Sequence, residues 1–265
     1  MKNSRLPAVA GLFYPADSDV LADSVAQQLN HVSPSPSYIP KALIVPHAGY
    51  IYSGDIAASA YHTLLPLRNS ITRVVLIGPS HRVGFHGLAL SSADYFTTPL
   101  GDIRIDQAAQ ATLASIDGVF VIDEAHAAEH SLEVQLPFLQ SVLDDFTIIP
   151  IVAGDANPEL VAKVIETLWG GDETLIVISS DLSHYHDYHS AQQLDNATSQ
   201  AIVAHDVQAI HSYNACGYVG IRGLLHFTHT HSLTTSIIDL RNSGDTAGSK
   251  DSVVGYGAYL FEEVA

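Results

Sequence analysis

The sequence predicts a single α/β domain with a mostly parallel central sheet flanked by helices. Short apolar runs rich in Val and Ile alternate along the chain with segments of helical periodicity, and this alternation is typical of an α/β fold. Several runs, such as ALIV at 42–45 and VVLI at 74–77, are apolar on both faces. Strands buried inside a parallel sheet need apolar side chains on both faces, so these runs indicate the centre of the sheet.

The elements can be assigned in chain order. Leu21, Val25 and Leu29 lie four residues apart and predict a first helix over 18–30, since residues at this spacing share a helix face. The final segment, SVVGYGAYLFEE, alternates small and large residues and predicts a closing strand. The other predicted strands are 42–45, 73–77, 88–90, 146–152 and 174–178, and the other predicted helices are 55–65, 106–114, 131–143, 158–169 (with Asp155 as its candidate N-cap), 188–205 and 217–226.

Domain organisation and composition narrow the classes of function. The Pro- and Ser-rich segment 33–40 is too short and too early to separate two domains, so one domain over 1–265 is expected. The chain has 11 Lys and Arg against 28 Asp and Glu, a formal net charge of −17. This excess of acid argues against nucleic-acid binding and against docking on anionic lipid, because both need clustered cations.

Cysteine content and hydropathy indicate the compartment. Cys216 is the single cysteine, so an intrachain disulfide is excluded and a reducing compartment is favoured. No apolar stretch approaches the length of a membrane span. A cytoplasmic protein without a membrane partner is therefore expected.

Metal-capable side chains follow three of the predicted strands at similar positions. His47 follows KALIVP, His81 follows RVVLIGPS, and Asp181 follows TLIVISS, with His184 three residues later. The carboxyl ends of parallel strands line a common crevice in which ligands bind. Imidazole and carboxylate groups serve there as metal ligands or as acid/base groups. The pattern predicts a metal site, although each histidine alone is also typical of a polar loop and Asp181 of a helix N-cap.

The segment EAHAAEHSLEVQLPFL contains two further candidates. His130 and Glu133 share a helix face if the helix begins at His130, and they would then form an acid/base pair. If Ser131 is the N-cap instead, the leucines that follow form an ordinary core stripe. The residues alone leave both interpretations open.

Cys216 precedes Gly217 and an apolar helical run. A thiol at a helix N-terminus has a lowered pKa, and the thiolate is the form that binds metals. A free cysteine is more often a small buried apolar residue, so its role is open at this level. No dinucleotide, Walker A, HExxH or GxSxG signature is present in a suitable context, and those functions lack support.

Seven segments, in order, resemble the Memo family, also called the AmmeMemoRadiSam system protein B family. They are PAVAGLFYPAD, VPHAGYIYSG, GPSHRVGFHGLAL, EHSLEVQLPFLQ, SSDLSHY, ACGYVGI and GYGAYLFEE. The resemblance spans nearly the whole chain, and the fold it implies looks like that of class III extradiol dioxygenases.

The resemblance also implies a ligand set and a group of pocket residues. It implies three metal ligands, namely His47, His81 and Cys216. It implies four neighbouring catalytic candidates, namely Asp181, His184, His130 and Glu133. A thiolate in place of the carboxylate of a two-His facial triad favours iron, copper or zinc over magnesium or calcium.

The expected function is that of a metal-dependent oxidoreductase that uses iron or copper and acts on an unidentified small molecule. One alternative is a non-catalytic module that binds a peptide or an anion in the same crevice, with Arg82 as a candidate contact. Another is a zinc-type metallohydrolase. The resemblance further implies association with AMMECR1-like and radical SAM proteins.

Overall fold

The apolar runs of the sequence form the centre of a twelve-stranded sheet in the computed structural model, which describes residues 3–33 and 38–264. Residues 34–37 of the segment 33–40 lie outside the described residues. The strands are β1 (Ser4–Arg5), β2 (Ala42–Val45), β3 (Arg73–Pro79), β4 (Leu88–Leu90), β5 (Tyr95–Thr98), β6 (Gly101–Ile105), β7 (Val119–Val121), β8 (Thr147–Ala153), β9 (Thr174–Ser179), β10 (His184–His186), β11 (Leu233–Asn242) and β12 (Val253–Glu263). The α-helices are α1 (Ser18–His31), α2 (Tyr50–Tyr61), α3 (Gln107–Leu113), α4 (Asp123–Ala127), α5 (Leu136–Val142), α6 (Pro158–Leu168), α7 (Tyr188–Val203) and α8 (Tyr218–Thr228).

Four parallel strands lie side by side at the centre of the sheet, in the order β8, β3, β9 and β2. Strand β6 extends the parallel arrangement beyond β8, whereas β12 pairs antiparallel with β2, β10 and β11. The predicted α/β fold with a mostly parallel centre is confirmed. Within the described residues, no helix combines the length and the apolar character that crossing a membrane requires.

Alternate residues of the central strands pack against opposite layers of helices. Leu43 and Val45 belong to a core that also contains residues of α1, α2 and α5. Ala42 and Ile44, on the other face of β2, belong to a second core with residues of α3, α6 and α8. Successive strand residues point to opposite faces, so helices cover both sides of the sheet and the loops at the strand ends are left to form a crevice.

The start of α2 and the N-cap residue of α6 differ from those predicted. Helix α2 begins at Tyr50 rather than at residue 55, with Gly49 as its N-cap. Helix α6 is capped by Asn157 and not by Asp155: the Asn157 side chain accepts a hydrogen bond from Leu160 N at 2.8 Å. Asn157 directly precedes the first-turn proline, and this position places its side chain at the free amide groups of the helix.

Six strands were not predicted from the sequence, namely β1, β5, β6, β7, β10 and β11. Their residues are only partly buried, so their composition lacks the apolar runs that mark the central strands. The helix predicted over 131–143 is also interrupted. A 3₁₀ turn occupies Glu133–Gln135, and α5 begins only at Leu136.

His126 should make the fold sensitive to acid. Its ring is buried, its Nε2 lies 3.0 Å from the Ala89 carbonyl, and burial lowers its pKa to about 4. The unfolded chain binds this proton near pH 6.5, so unfolding takes up a proton between these two values. The stability contributed by neutral His126 is therefore lost as the pH falls, by about 2–3 kcal/mol at pH 4.

Urea denaturation of His126→Gln and wild type at several pH values between 7 and 4 measures this contribution. The glutamine amide can still donate to the Ala89 carbonyl, and the variant should lose less stability on acidification. His189→Gln, at an exposed position, is the control and should follow wild type. Parallel curves for His126→Gln and wild type would contradict the assignment.

Candidate metal centre

Three neighbouring central strands each place a predicted site residue two positions beyond their carboxyl ends. His81 follows β3, Asp181 follows β9 and His47 follows β2, and β9 lies between the other two strands. The loops after these strands therefore converge, as expected at the carboxyl edge of a parallel sheet.

His47 is buried and its tautomer is determined by Ser179. The Ser179 hydroxyl donates its only hydrogen to the Ser131 carbonyl at 2.6 Å and accepts from Gln135 Nε2 at 2.8 Å. It must then also accept the hydrogen bond from His47 Nδ1 at 2.8 Å. The proton resides on Nδ1, Nε2 keeps its lone pair, and burial lowers the pKa of His47, so the ring is neutral and ready to bind a cation.

His81 is oriented by Glu129. Its Nδ1 lies 2.9 Å from Glu129 Oε1, and its backbone N–H donates to Oε2 at 2.6 Å. The carboxylate also accepts from the backbone N–H groups of His130 and Ser131, each at 2.9 Å. Although burial opposes ionisation, hydrogen bonds from the His81 ring and from these amides lower the pKa of Glu129 to about 2. The ionised carboxylate holds the proton on Nδ1 of His81 and leaves Nε2 available.

Glu129 is not among the site residues predicted from the sequence. It immediately precedes His130, in the same His-rich segment, and the only signal that could have found it is that a ligating histidine needs an acceptor for its second nitrogen. That rule requires a nearby carboxylate but does not say which of the 28 acidic residues provides it.

Cys216, just before α8, lies next to the His47 ring. Its Sγ lies 3.2 Å from His47 Nε2 and accepts from Asp181 N at 3.3 Å. One ligand atom each from His47, His81 and Cys216 lies within 4.8 Å of the other two. Two nitrogen lone pairs and one thiol therefore face a common volume, and this donor set suits a borderline or soft metal ion.

The predicted lowering of the Cys216 pKa is wrong for the metal-free protein. Burial and the nearby Asp181 carboxylate raise the pKa of the thiol. Hydrogen bonds from the Asp181 backbone, the Ser180 side chain and the Gly217 backbone lower the pKa, but they do not outweigh burial. The thiol is therefore protonated at neutral pH until a cation displaces its proton.

Asp181 and His184 lie beside the three donors. The Asp181 side chain is buried, and its Oδ1 accepts a hydrogen bond from His47 N at 2.7 Å. Burial raises the pKa of this carboxyl. His184 begins β10 and, like Asp181, lines the main cavity. The pair can accept or deliver a proton next to the donors.

The structure brings His130 to the site but not Glu133. The His130 ring stacks on that of His81, with centroids 4.5 Å apart and planes inclined by 25°. Glu133 instead forms a fully buried ion pair with Arg5 and accepts from the Tyr14 hydroxyl at 2.6 Å. The predicted His130–Glu133 pair is not formed, because Glu133 compensates a buried cation and ties the N-terminal segment to the domain.

A cavity of about 620 Å³ opens above the donors. It is lined at its base by His47, His81, His130, Asp181 and His184, and elsewhere by Phe13, Ala48, Gly49, Tyr52, Tyr185, Tyr256, Val254, Ser243, Gly248, Ser249 and Ser252. A second cavity of about 450 Å³ reaches Cys216 and includes Ser80, Phe85, Gly154 and Tyr218. Cys216 therefore lines the second cavity, whereas His47, whose Nε2 lies 3.2 Å from the thiol, lines the first.

Glu129→Gln should weaken metal binding at His81. The amide keeps the size of the side chain but cannot hold the His81 tautomer as a carboxylate does, and the loss of such a partner typically lowers metal affinity by about 10–100-fold. Competition titration of Zn²⁺ against a chromophoric chelator measures the change. Glu124→Gln, in the first turn of α4 and outside this network, is the control. Equal affinities for Glu129→Gln and wild type would show that the carboxylate does not prepare His81.

Comparison with known proteins places the chain among a group of relatives that it matches end to end. A family model described as "Memo-like protein" matches residues 5–260. "MEMO1 family protein" sequences from Metallosphaera sedula and Archaeoglobus fulgidus are each 34% identical, over 98% and 97% of this chain and 99% of each relative. One from Methanobrevibacter smithii is 35% identical over 97% of this chain and 99% of the relative.

A solved structure shares the fold alone. The crystal structure of the uncharacterized protein JW3007 from Escherichia coli K12 superposes with a TM-score of 0.52, over 83% of this chain and 98% of that chain. Sequence identity is 11%, so the likeness extends to architecture and not to chemistry.

Proposed function

This chain belongs to the Memo-like protein family, and from that premise we propose that it is a metal-dependent oxidoreductase whose site is built from His47, His81 and Cys216. The observation that carries the proposal is the convergence of these three donor atoms within 4.8 Å of one another. The three residues follow different elements of the chain. They therefore come together only when the chain folds.

The donor set fits iron or copper. Two imidazole nitrogens with free lone pairs and a thiol favour these ions, or zinc, over magnesium and calcium. A bound iron or copper ion would supply one-electron chemistry. His47 and His81 would hold it in rings whose orientation Ser179 and Glu129 already maintain.

The remaining residues would handle protons and substrate. Asp181 and His184 lie next to the donors and would exchange protons with a bound substrate. His130 lies against His81 at the cavity base and would orient the substrate. The loops around the cavity would limit access of water, which strengthens electrostatic interactions inside it.

An anion-binding module finds less support. Among the described residues, no Lys or Arg lines the main cavity, and Arg82 is exposed outside it. A zinc-type hydrolase would use the same three donors and is separated from the oxidoreductase by experiment. The association with AMMECR1-like and radical SAM proteins stays a prediction.

Anaerobic purification and reconstitution test the proposal. The protein is incubated separately with Fe²⁺, Cu⁺ and Zn²⁺, desalted and analysed for metal content, and oxygen uptake is then followed with ascorbate as reductant. Retention of iron or copper by wild type, with oxygen uptake that His47→Ala lacks, is the expected result. Retention of zinc alone, with hydrolysis of a nitrophenyl ester, would favour the hydrolase. Retention of no metal would overturn both.

A further inference from the structure

Tyr185 has a backbone conformation that its side chain disfavours. Its φ is +62°, and in the described part of the chain only one other non-glycine residue, His205 (φ +55°), has a positive φ. His205 follows the C-cap of α7, where a left-handed residue is ordinary. Tyr185 has no such context. An aromatic residue held in this region is strained, and such strain is concentrated at binding and catalytic sites.

The strain arises from an irregularity in the sheet. Strand β10 pairs with β12 through His184 opposite Val254 and His186 opposite Val253, with a shift of register between the two pairs. Three residues of β10 therefore oppose two of β12, as in a β-bulge. Bulges re-aim a side chain and are frequent beside active sites. Here the irregularity leaves the Tyr185 side chain 78% exposed while it lines the main cavity.

Other aromatic rings line the same cavity. Tyr52 of α2 is 36% exposed, and Tyr256 and Phe13 contribute further ring surface. Phe13 lies against His130 with ring centroids 4.7 Å apart, so aromatic surface continues from the mouth to the base. Large exposed aromatic side chains around a concavity are typical of ligand sites.

The cavity lining contains one carboxylate beside four histidines. Asp181 is a buried acid at its base, and no Lys or Arg within the described ranges lines it. The chain as a whole carries a formal charge of −17. In the metal-free protein, a phosphate or carboxylate group placed here would lose its hydration without gaining a Lys or Arg partner from the described cavity lining. A neutral or cationic ring would keep favourable contacts with the tyrosine faces.

We propose that Tyr185 and Tyr52 form an aromatic clamp at the cavity mouth that binds a planar aromatic group of an uncharged or cationic ligand. The inference deepens the proposed function and rests on it in one respect: the ligand bound by the clamp is the substrate presented to the metal. Binding of the ring itself needs only the cavity, so it is measured on metal-free protein.

Ligand-observed NMR titration with three probes tests the clamp. The probes are 4-ethylphenol, tyramine and phenyl phosphate, which share a ring and differ in charge. The two probes without negative charge should bind, and phenyl phosphate should bind at least about tenfold more weakly. Tyr185→Ala should weaken tyramine binding about threefold to tenfold, and Tyr185→Phe should retain it, since stacking needs the ring and not the hydroxyl. Tyr213→Ala, at an exposed tyrosine outside the cavity, should equal wild type.

Glycine variants of Tyr185 and His205, the two non-glycine residues with positive φ in the described part of the chain, test whether the strain at Tyr185 serves ligand binding. Glycine accepts positive φ without penalty, so Tyr185→Gly and His205→Gly should each keep or raise the unfolding temperature. Only Tyr185→Gly should lose tyramine affinity. Unchanged affinity in Tyr185→Gly and Tyr185→Ala would overturn the clamp, as would phenyl phosphate binding as tightly as tyramine or no binding of any probe.

The two proposals fail separately. Zn²⁺ affinity of Tyr185→Ala should equal that of wild type, because Tyr185 is not among the clustered donors. Ring binding by a protein that holds no metal would overturn the oxidoreductase and the substrate role but leave the clamp. If the protein binds metal but none of the three probes, only the clamp is overturned.

Discussion

His81→Ala is expected to lower metal affinity by more than about 100-fold, because replacement of an outer partner of a ligand already costs about 10–100-fold. The substitution removes one of three clustered donors and deprives the buried Glu129 carboxylate of its 2.9 Å contact with the His81 ring. Competition titration with Cu⁺ and Zn²⁺ under anaerobic conditions, together with elemental analysis after desalting, measures the loss.

Asp181→Asn is the informative comparison for His81→Ala. Its side chain accepts a hydrogen bond from His47 N and is not among the three clustered donors, so most of the metal should stay bound while any redox turnover changes. His189→Ala, at an exposed position, controls for the loss of a histidine. If Asp181→Asn lost metal as completely as His81→Ala, Asp181 would be a ligand rather than a neighbour.

Glu133→Gln is expected to lower the free energy of unfolding by about 3–5 kcal/mol, the usual cost of removing one partner of a buried ion pair. The substitution leaves Arg5 buried without its carboxylate. It also weakens the hydrogen bonds from the backbone N–H groups of Ala8 and Val9, at 2.7 and 3.0 Å from the carboxylate. Urea denaturation of the metal-free protein gives the free energy directly.

The matched control for Glu133→Gln is Asp144→Asn. Asp144 pairs with Arg68 at 2.7 Å, but both side chains are more than two-fifths exposed, and such a surface pair contributes less than about 1 kcal/mol. Metal affinity of Glu133→Gln, measured where the variant is folded, should match wild type. If Glu133→Gln had normal stability but lost redox turnover, Glu133 would have the acid/base role that its spacing from His130 suggested.

The sequence by itself determined the central architecture and most of the site's composition. Buried parallel strands have a local signature, since they must be apolar on both faces, and Ala42–Val45 was predicted with the bounds that the structure has. The rule that ligands gather at strand ends then placed His47, His81 and Asp181 together. Cys216 joined them only through the resemblance to a family, because a free cysteine is more often a small buried apolar residue than a metal ligand.

Tertiary structure decided which groups act on one another. A spacing of three residues made Glu133 a candidate partner of His130, but Glu133 instead forms an ion pair with Arg5, 128 residues away in sequence. Glu129 and Ser179 determine the tautomers of His81 and His47 from 48 and 132 residues away in sequence. Burial reversed the expected pKa shift of Cys216, and the positive φ of Tyr185 occurs where the pairing of β10 with β12 shifts register. Periodicity and strand composition are local properties, whereas protonation, hydrogen-bond partners and strain depend on which distant groups share a low-dielectric volume.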